Sequence, residues 1–475
     1  MPAIITDDTK KLLIEKIIAD TADSDTRYFV GIGKSDTWQT ETDTTPLASQ
    51  VVNSEYHKSI FRSNLQSVAL TSDVSFVVKR YNWSSGTIYR AYEGDVSALG
   101  NTTANDVGNG QYYVLTENNR VYICLQQGKT ATGTVNPSLN NPGNEILPSE
   151  GTKKLGDGYV WRFLTILDPA KLNKFSTSNF FPVEKVDSAA PGDFNTIAEQ
   201  QQLVVQAAAV PGEITGYKIV TAGAGYSASD TPTVIGNGSG ADIRISVSPT
   251  TGAILAAEVD SNGTGGFSFG SGYNTANVTI QSSTATTPAV IRPVISRNGV
   301  GADIRDDLRS TSVMFNSKLS GAAGAGDLLV DQEFRQVGLL RNLKKPNDSD
   351  FTDATGSALR RLVVESTSGL AKDMTIQGGS SGAVAIVDED DSDGAGNKLL
   401  LYHQNEKTGF GRFTTSDVSP NPISNVADAL DVGSFISDSE GEVNPFSGEL
   451  IYIDNRAAIQ RDAQSTEDVK IIIQL

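Results

Sequence analysis

Apolar residues recur along this chain with two periods, and the shorter one dominates. Helical spacing occurs once, where Leu12, Leu13, Ile14, Ile17 and Ile18 share a face behind Thr6 or Asp7 as cap. That helix should end at 20–25, where polar capping residues crowd together. Elsewhere the pattern is alternation, the mark of strands whose successive side chains point to opposite faces. Residues 27–32 alternate into Gly33, and 74–79 lead to Tyr81 and Trp83. Residues 112–115 and 121–125 flank Glu117-Asn118-Asn119, a hairpin signal because Asn tolerates positive φ. In 156–164, Tyr159, Trp161 and Phe163 face one way, and Val160, Arg162 and Leu164 the other. Further strands are predicted at 308–319, 334–343, 374–376, 383–387, 399–403, 447–456 and 466–475. The last puts Val469, Ile471, Ile473 and Leu475 on one face, with Lys470, Ile472 and Gln474 opposite, and should be tied into a sheet. The class predicted is α+β, mostly β.

Changes of texture divide the chain. Residues 1–186 carry the helix and a β-rich part, and 301–355 return to that texture before the final strands at 444–475. Between them, 187–300 lose aromatic residues to Gly, Ala, Ser and Thr, and an imperfect repeat appears. Gly212-Glu213-Ile214 through Ile219, then Gly223 to Gly225-Tyr226, recurs as Gly252-Ala253-Ile254 through Val259, then Gly263 to Gly272-Tyr273. The second copy carries an insertion at 265–271. Each copy reads strand, glycine-rich turn, strand, which predicts a small β domain of two related hairpin units. Ile243, Ile245 and Val247 alternate too regularly for a flexible linker. Residues 356–443 predict a second small β domain or barrel around an acidic loop.

Composition agrees: 38% hydrophobic residues and 45 glycines in 475 residues describe short strands joined by many turns. The length allows two to four domains, each with its own core. A net charge of −18 argues against a nucleic-acid partner, which would need a basic footprint. Lys153-Lys154 and the basic residues of 341–345 are too short to overturn that. The single cysteine, Cys124, excludes an internal disulfide and sits in an apolar run as an inert thiol. No run approaches the ~18 apolar residues of a membrane span, and no signal peptide is recognisable, so an aqueous compartment is expected.

Candidate chemistry fails on inspection. Gly33-Lys34-Ser35 resembles the end of a phosphate-binding loop, but the leading glycine is replaced by Tyr28 and no helix start follows. A turn that packs Trp38 is the better reading. Asp388 to Gly394 resembles a calcium loop with Glu389, Asp391 and Asp393 at ligand positions, but Leu400 stands where a bidentate carboxylate is needed. A solvated hairpin tip is expected instead. The two histidines, His57 and His403, have no neighbouring Cys or second His for zinc. A Ser-His-Asp triad stays open, without a Gly-x-Ser-x-Gly elbow to recommend it. No catalytic residue, cofactor site or metal site is predicted.

The strands themselves then carry the signal. Residues 28–38, Tyr-Phe-Val-Gly-Ile-Gly-Lys-Ser-Asp-Thr-Trp, resemble the opening strand and turn of the gene-product-eight family of baseplate wedge subunits in T-even-like contractile-tailed bacteriophages. Segments 79–83, 121–125, 156–164, 334–346 and 447–475 match in the same order. Gly156-Asp157-Gly158-Tyr159-Val160-Trp161 and Ser447-Gly448-Glu449-Leu450-Ile451-Tyr452-Ile453-Asp454-Asn455-Arg456 are the most specific. The resemblance implies a mixed α/β core domain with β-rich domains attached, and marks 187–300 and 356–443 as insertions. It implies a homodimer in the virion's tail baseplate, made in the host cytoplasm and bound to other baseplate wedge proteins. It implies no enzyme activity, no cofactor and no small-molecule substrate, but a scaffold that follows rearrangement on sheath contraction.

The three tryptophans, Trp38, Trp83 and Trp161, all fall in matched segments. They are expected as core anchors, or at a subunit interface, where Trp, Tyr and Arg dominate binding energy. Trp83, beside Arg80 and Tyr81, is the leading interface candidate, such that Trp83→Ala should weaken dimers and spare the monomer's fold. An alternative is a host-surface binding module, since glycine-rich β repeats also occur in receptor-contacting phage proteins. Such a module would show exposed aromatics in its loops, and 187–300 has few, Tyr217, Tyr226, Phe267, Phe269 and Tyr273, which argues against it. A tail-associated depolymerase rests on carboxylate abundance alone.

Overall fold

The computed structural model describes residues 5–38, 55–71, 73–94, 111–187, 196–260, 266–320, 332–365, 372–392, 394–462 and 466–475. Strand accounts for 44% of the described residues and helix for 14%, so the mostly β, α+β class holds. Two compact units emerge, Met1–Leu12 with Ser75–Val313 and Gln474–Leu475, and Leu13–Val74 with Met314–Ile473. Gly263 and Gly265 of the second repeat copy and Asp393 of the acidic run lie outside the described residues.

The predicted helix is Asp7–Ala22, and the Thr6 hydroxyl accepts from the Thr9 amide at 3.4 Å. Its apolar face is narrower than the spacing implies. Ile14 is buried and Ile17 and Ile18 half-buried, while Leu12 and Leu13 point to solvent.

In the unit containing Leu13–Val74, five antiparallel strands lie in the order Thr355–Ser357, Leu65–Leu70, Tyr28–Gly33, Gln332–Arg341, Glu449–Arg461. Tyr28–Gly33 is buried at all its positions because it is central. Gly31 pairs with Gly338 across the sheet, and Phe61, on the helix Glu55–Ser63, rests its ring on both. A Cβ on Gly338 would come within 2.4 Å of that ring, so glycine inside these strands is a packing requirement. Phe29, Leu340, Phe351, Leu450 and Ile453 complete the layer. The final strand Thr466–Gln474 adds to Ser312–Ser320 as an edge, with Ile471 buried as tethering requires.

Residues 360–439 build a seven-stranded sheet in the order Asp431–Gly433, Ile423–Asn425, Thr375–Gly378, Val384–Ser392, Lys398–His403, Arg360–Val364, Phe435–Ser439. Its two edge strands are one run of chain broken only at Ser434, whose carbonyl accepts from the Glu365 amide at 3.0 Å. The sheet therefore curls back on itself as a small barrel. Leu362, Val364, Ile376, Ala385, Val387, Leu400, Tyr402 and Ile423 fill it. The acidic run departs from the expected hairpin tip: Val384–Ser392 is a strand, with Asp388 fully inside.

In the other unit, Tyr113–Leu115, Arg120–Gln126, Val160–Ile166 and Thr152–Lys154 form a four-stranded sheet. The predicted hairpin turn is present, with Asn119 at φ 58°. Tyr159, Trp161 and Phe163 share the buried face with Tyr89, Tyr122 and Cys124. Burial pushes the Cys124 thiol well above its ordinary range, as its inert reading requires.

Two features of 187–300 depart from the hairpin-pair expectation. The first is a helix, Ile197–Ala208, opened by a capping box in which Thr196 and Glu199 bond each other's backbone amides. Its inward positions include glutamines rather than an apolar stripe. Gln206 bridges the amide and carbonyl of Val186, and Gln202 bonds the Glu184 carbonyl.

The second is that the repeat copies are interlocked. The first strand of copy one, Glu213–Thr221, pairs with the last of copy two, Val290–Ser296. The first strand of copy two, Ile254–Val259, pairs with the last of copy one, Ile243–Val247. Registers correspond: Ile291 faces Ile219 as Ile243 faces Val259, and a bulge at Val294/Ile295 matches the one at Ser246/Val247, while the first ribbon carries a second at Val290/Ile291. The middle strands Thr231–Gly236 and Ala276–Gln281 pair with each other, Val234 opposite Val278. Each leading glycine receives the other copy's Gly-Tyr corner. Gly225 and Tyr226 donate to the carbonyls of Thr251 and Gly252, and Gly272 and Tyr273 donate to those of Pro211 and Gly212.

Candidate functional site

The sequence-predicted contact residues separate into a rim and two anchors. Arg80 and Tyr81 follow the strand Asp73–Lys79, and Trp83 follows them past the 113–126 hairpin. The Arg80 guanidinium donates to Asn82 Oδ1 at 2.9 Å and to Ser176 Oγ at 3.0 Å. The Tyr81 ring sits 5.2 Å from that of Tyr113, and burial raises its phenol pKa. Trp83 lies half-buried against the aromatic cluster that holds Trp161, with Nε1 donating to Ser138 Oγ at 3.3 Å. Asn82 and the 84–86 turn are exposed, so 80–86 form a rim with an accessible edge.

Trp161 is 0% exposed, stacked on Tyr159 and edge-on to Tyr89, which removes it from any contact surface. Trp38 is 8% exposed, with Nε1 donating to the Arg456 carbonyl at 3.3 Å. Both are anchors, and only the Trp83 rim keeps access to a partner.

The segments 156–161 and 447–456 have a common chemistry. In Gly156-Asp157-Gly158, the Asp157 carboxylate accepts from the amides of Leu139, Asn140 and Tyr159 at 2.8, 3.0 and 3.1 Å. Gly158, at φ 89°, lies against Gly128, where a Cβ would come within 3.0 Å of backbone. In Ser447-Gly448, Ser447 Oγ accepts from the Lys344 amide at 2.8 Å. Gly448, at φ 64°, leaves no room for a Cβ beside the Arg341 carbonyl, and Arg62 donates to its carbonyl at 2.9 Å. These polar groups hold the chain's own backbone.

Lys34 has a left-handed backbone at φ 66°, with its amide on the Asn64 carbonyl at 3.0 Å. It makes the turn expected there rather than a phosphate loop, and Nζ sits 4.8 Å over the Trp38 ring. His403 and Ser35 do meet a carboxylate, but in the wrong order for a triad. Asp388 stands between them, taking His403 Nδ1 at 2.6 Å, Ser35 Oγ at 3.2 Å and Gln66 Nε2 at 2.8 Å. Ser35 donates its hydrogen bond to the carboxylate and not to the imidazole, so the Ser-His contact of a triad is not made. Burial opposes charge on His403, but the adjacent Asp388 outweighs it and raises the imidazole pKa. Among the described residues no group of His, Cys, Asp and Glu is arranged to hold a metal, and no helix is long and apolar enough to cross a membrane. No family model matches the chain, and no curated protein matches it either.

Proposed function

We propose that this chain is a non-catalytic structural subunit of a phage tail baseplate wedge. In this reading it works in the virion as a homodimer that links neighbouring wedge proteins and follows their rearrangement on contraction. No cofactor, nucleic acid, membrane or substrate enters that role. The observation that carries the reading is where the matched segments spend their chemistry. They supply the central strands Tyr28–Gly33, Gln332–Arg341 and Val160–Ile166, and their polar side chains tie down turns of the same chain. Fixed geometry of that kind suits a building block.

The host-binding alternative gains nothing from the aromatics of 187–300. Tyr226 and Tyr273 are buried, and Tyr217, Phe267 and Phe269 are half-buried, so none of these aromatics is displayed. Immunogold labelling of intact and contracted virions tests the proposal. Label on the baseplate in both states is the expected outcome. Label confined to fibre tips, or absent from particles, would overturn it.

A further inference from the structure

A cavity of about 290 Å³ opens between residues 90–93, the end of the strand Arg120–Gln126 with the loop that follows it, and the strands Glu213–Thr221 and Ile254–Val259. Lys129 lines it, half-buried, and among the described residues its ammonium makes no hydrogen bond or ion pair. Burial lowers its pKa, and the nearby Glu258 offsets that only in part. The other charges around the cavity are shared unequally. Glu93 alone serves Lys218 Nζ at 2.9 Å, Arg292 at 3.0 Å and Arg90 at 3.9 Å. Glu258 serves Lys154 Nζ at 3.1 Å and Arg244 at 3.0 Å, and Arg244 also reaches Asp260 at 3.9 Å. With Lys129, six cations stand around three carboxylates, in a chain whose net charge is −18. Glu258 registers that excess. Burial raises its pKa, but Lys154 and Arg244 outweigh burial and hold the carboxyl below its ordinary value.

Cations gathered in a cleft repel one another and raise the local concentration of anions. A single carboxylate would leave most of the excess in place, whereas a phosphate monoester brings a charge of about −1.5 to −2 at neutral pH. A guanidinium fork matches phosphate oxygens two at a time, and an ammonium meets them as a point charge. We propose that this cavity binds a phosphate group, with the Arg90 guanidinium and the Lys129 ammonium as its donors. The volume sits just under the roughly 300–1,000 Å³ of small-molecule sites, which admits phosphate and one small substituent. The inference is independent of the wedge proposal, which needs no ligand here. The source of the group is either free inorganic phosphate or the phosphomonoester of a larger molecule.

The test is titration calorimetry of the full chain at low ionic strength, with inorganic phosphate and with glycerol phosphate as probes. Lys129→Gln and Arg90→Gln are the variants, and Lys345→Gln, in the other unit and paired with Asp353 at 3.0 Å, is the control. Millimolar or tighter binding is expected. Lys129→Gln and Arg90→Gln should each weaken it about tenfold, the loss of one charge-assisted bond, and Lys345→Gln should leave it unchanged. Melting curves establish that the variants fold. Should Arg90→Gln fail to, Lys129→Gln decides alone, because that ammonium ties down no other part of the chain. No binding of either phosphate, or binding unchanged by Lys129→Gln, would overturn the assignment. Equal weakening by Lys345→Gln would overturn it too, as a diffuse surface effect. Tighter binding of glycerol phosphate assigns the site to a phosphomonoester, and tighter binding of inorganic phosphate assigns it to the free ion.

Discussion

The interlocked domain at 213–296 and the barrel at 360–439 are both glycine-marked β structures, yet they reach order by opposite routes. The barrel closes around apolar side chains that water does not reach, from Leu362 and Ile376 to Leu400 and Tyr402. The central cluster of the interlocked domain holds fewer fully buried side chains. Tyr226, Ile243, Ile254, Ala257 and Ile291 form its buried core, with Tyr217, Ile219, Val234 and Val278 only half covered. Backbone contact replaces what side chains lack. A Cβ on Gly252 would stand 2.5 Å from the Gly225 amide nitrogen, and one on Gly212 would stand 2.5 Å from that of Tyr273. Where the apolar core is thin, hydrogen-bonded glycine corners exchanged between copies fix the fold. The difference teaches that a repeat can specify an interlock rather than a row of units.

Substituting those corners should give the largest effects. Gly252 lies at φ 66° and faces backbone, so Gly252→Ala combines strain of ~1–3 kcal/mol with overpacking of ~1–3 kcal/mol. A loss of about 4 kcal/mol is expected. Segment-resolved hydrogen exchange should show deprotection across 213–296 with the barrel unchanged. Gly212→Ala, at φ 70°, should reproduce it, because the copies exchange equivalent corners. A small effect at one site only would break the equivalence. In the barrel the corresponding lesion is a cavity. Leu362→Ala should cost about 3 kcal/mol and deprotect 360–439, leaving the interlocked domain as it was.

Legibility from sequence follows the same division. The alternation of Tyr159, Trp161 and Phe163, and of Ile243, Ile245 and Val247, was enough to place strands, because those positions face one apolar layer. The repeat was legible as well, through its paired Gly-Tyr corners. Strand exchange between copies was not, since a period says nothing about which equivalent strand is the partner. The helix Ile197–Ala208 left no apolar period because Gln202 and Gln206 face inward to backbone. Its capping box, Thr196 with Glu199, was the available signal. Of the contact candidates, sequence could rank Arg80, Tyr81, Trp38, Trp83 and Trp161 but not sort them. Burial does so, because an indole serves core and interface equally well. Arg90, Lys129 and Lys218 gave no signal, since cations so far apart in sequence meet only in the fold. Trp83 also supports its own unit, so Trp83→Ala is expected to lower the monomer's stability as well as any dimer's.

A medium effect separates the two regions by pH. In the barrel, His403 has a pKa raised above its ordinary 6.5 by Asp388, against the opposing effect of burial. A group whose folded pKa is raised stabilises most below its unfolded pKa, and that contribution fades as pH rises through the folded value. Exchange protection over 384–403 should therefore fall as pH climbs beyond about 6.5, after correction for intrinsic exchange. His403→Gln should flatten that slope. Protection in the interlocked domain should not follow it. A barrel without a pH slope would remove the charged pair from its stability.

The smallest effects test how far the copies of the interlocked domain differ. At equivalent registers, Arg244 faces Glu258, an opposite pair, whereas Arg292 faces Lys218, two like charges that should repel across the ribbon. Glu93 resolves the conflict by reaching both, Lys218 Nζ at 2.9 Å and Arg292 at 3.0 Å, with its own side chain 14% exposed. Glu93→Gln leaves two cations opposed beside a partly buried amide, and a loss of about 1–2 kcal/mol is expected. Arg244 is 58% exposed and its bond to Glu258 spans 3.0 Å, so Arg244→Ala should cost only a few tenths of a kcal/mol. Chemical denaturation of the two variants checks the ranking. Equal losses would mean that Glu93 does no more than an ordinary surface pair, and the two ribbons would then be alike in energy as well as in register.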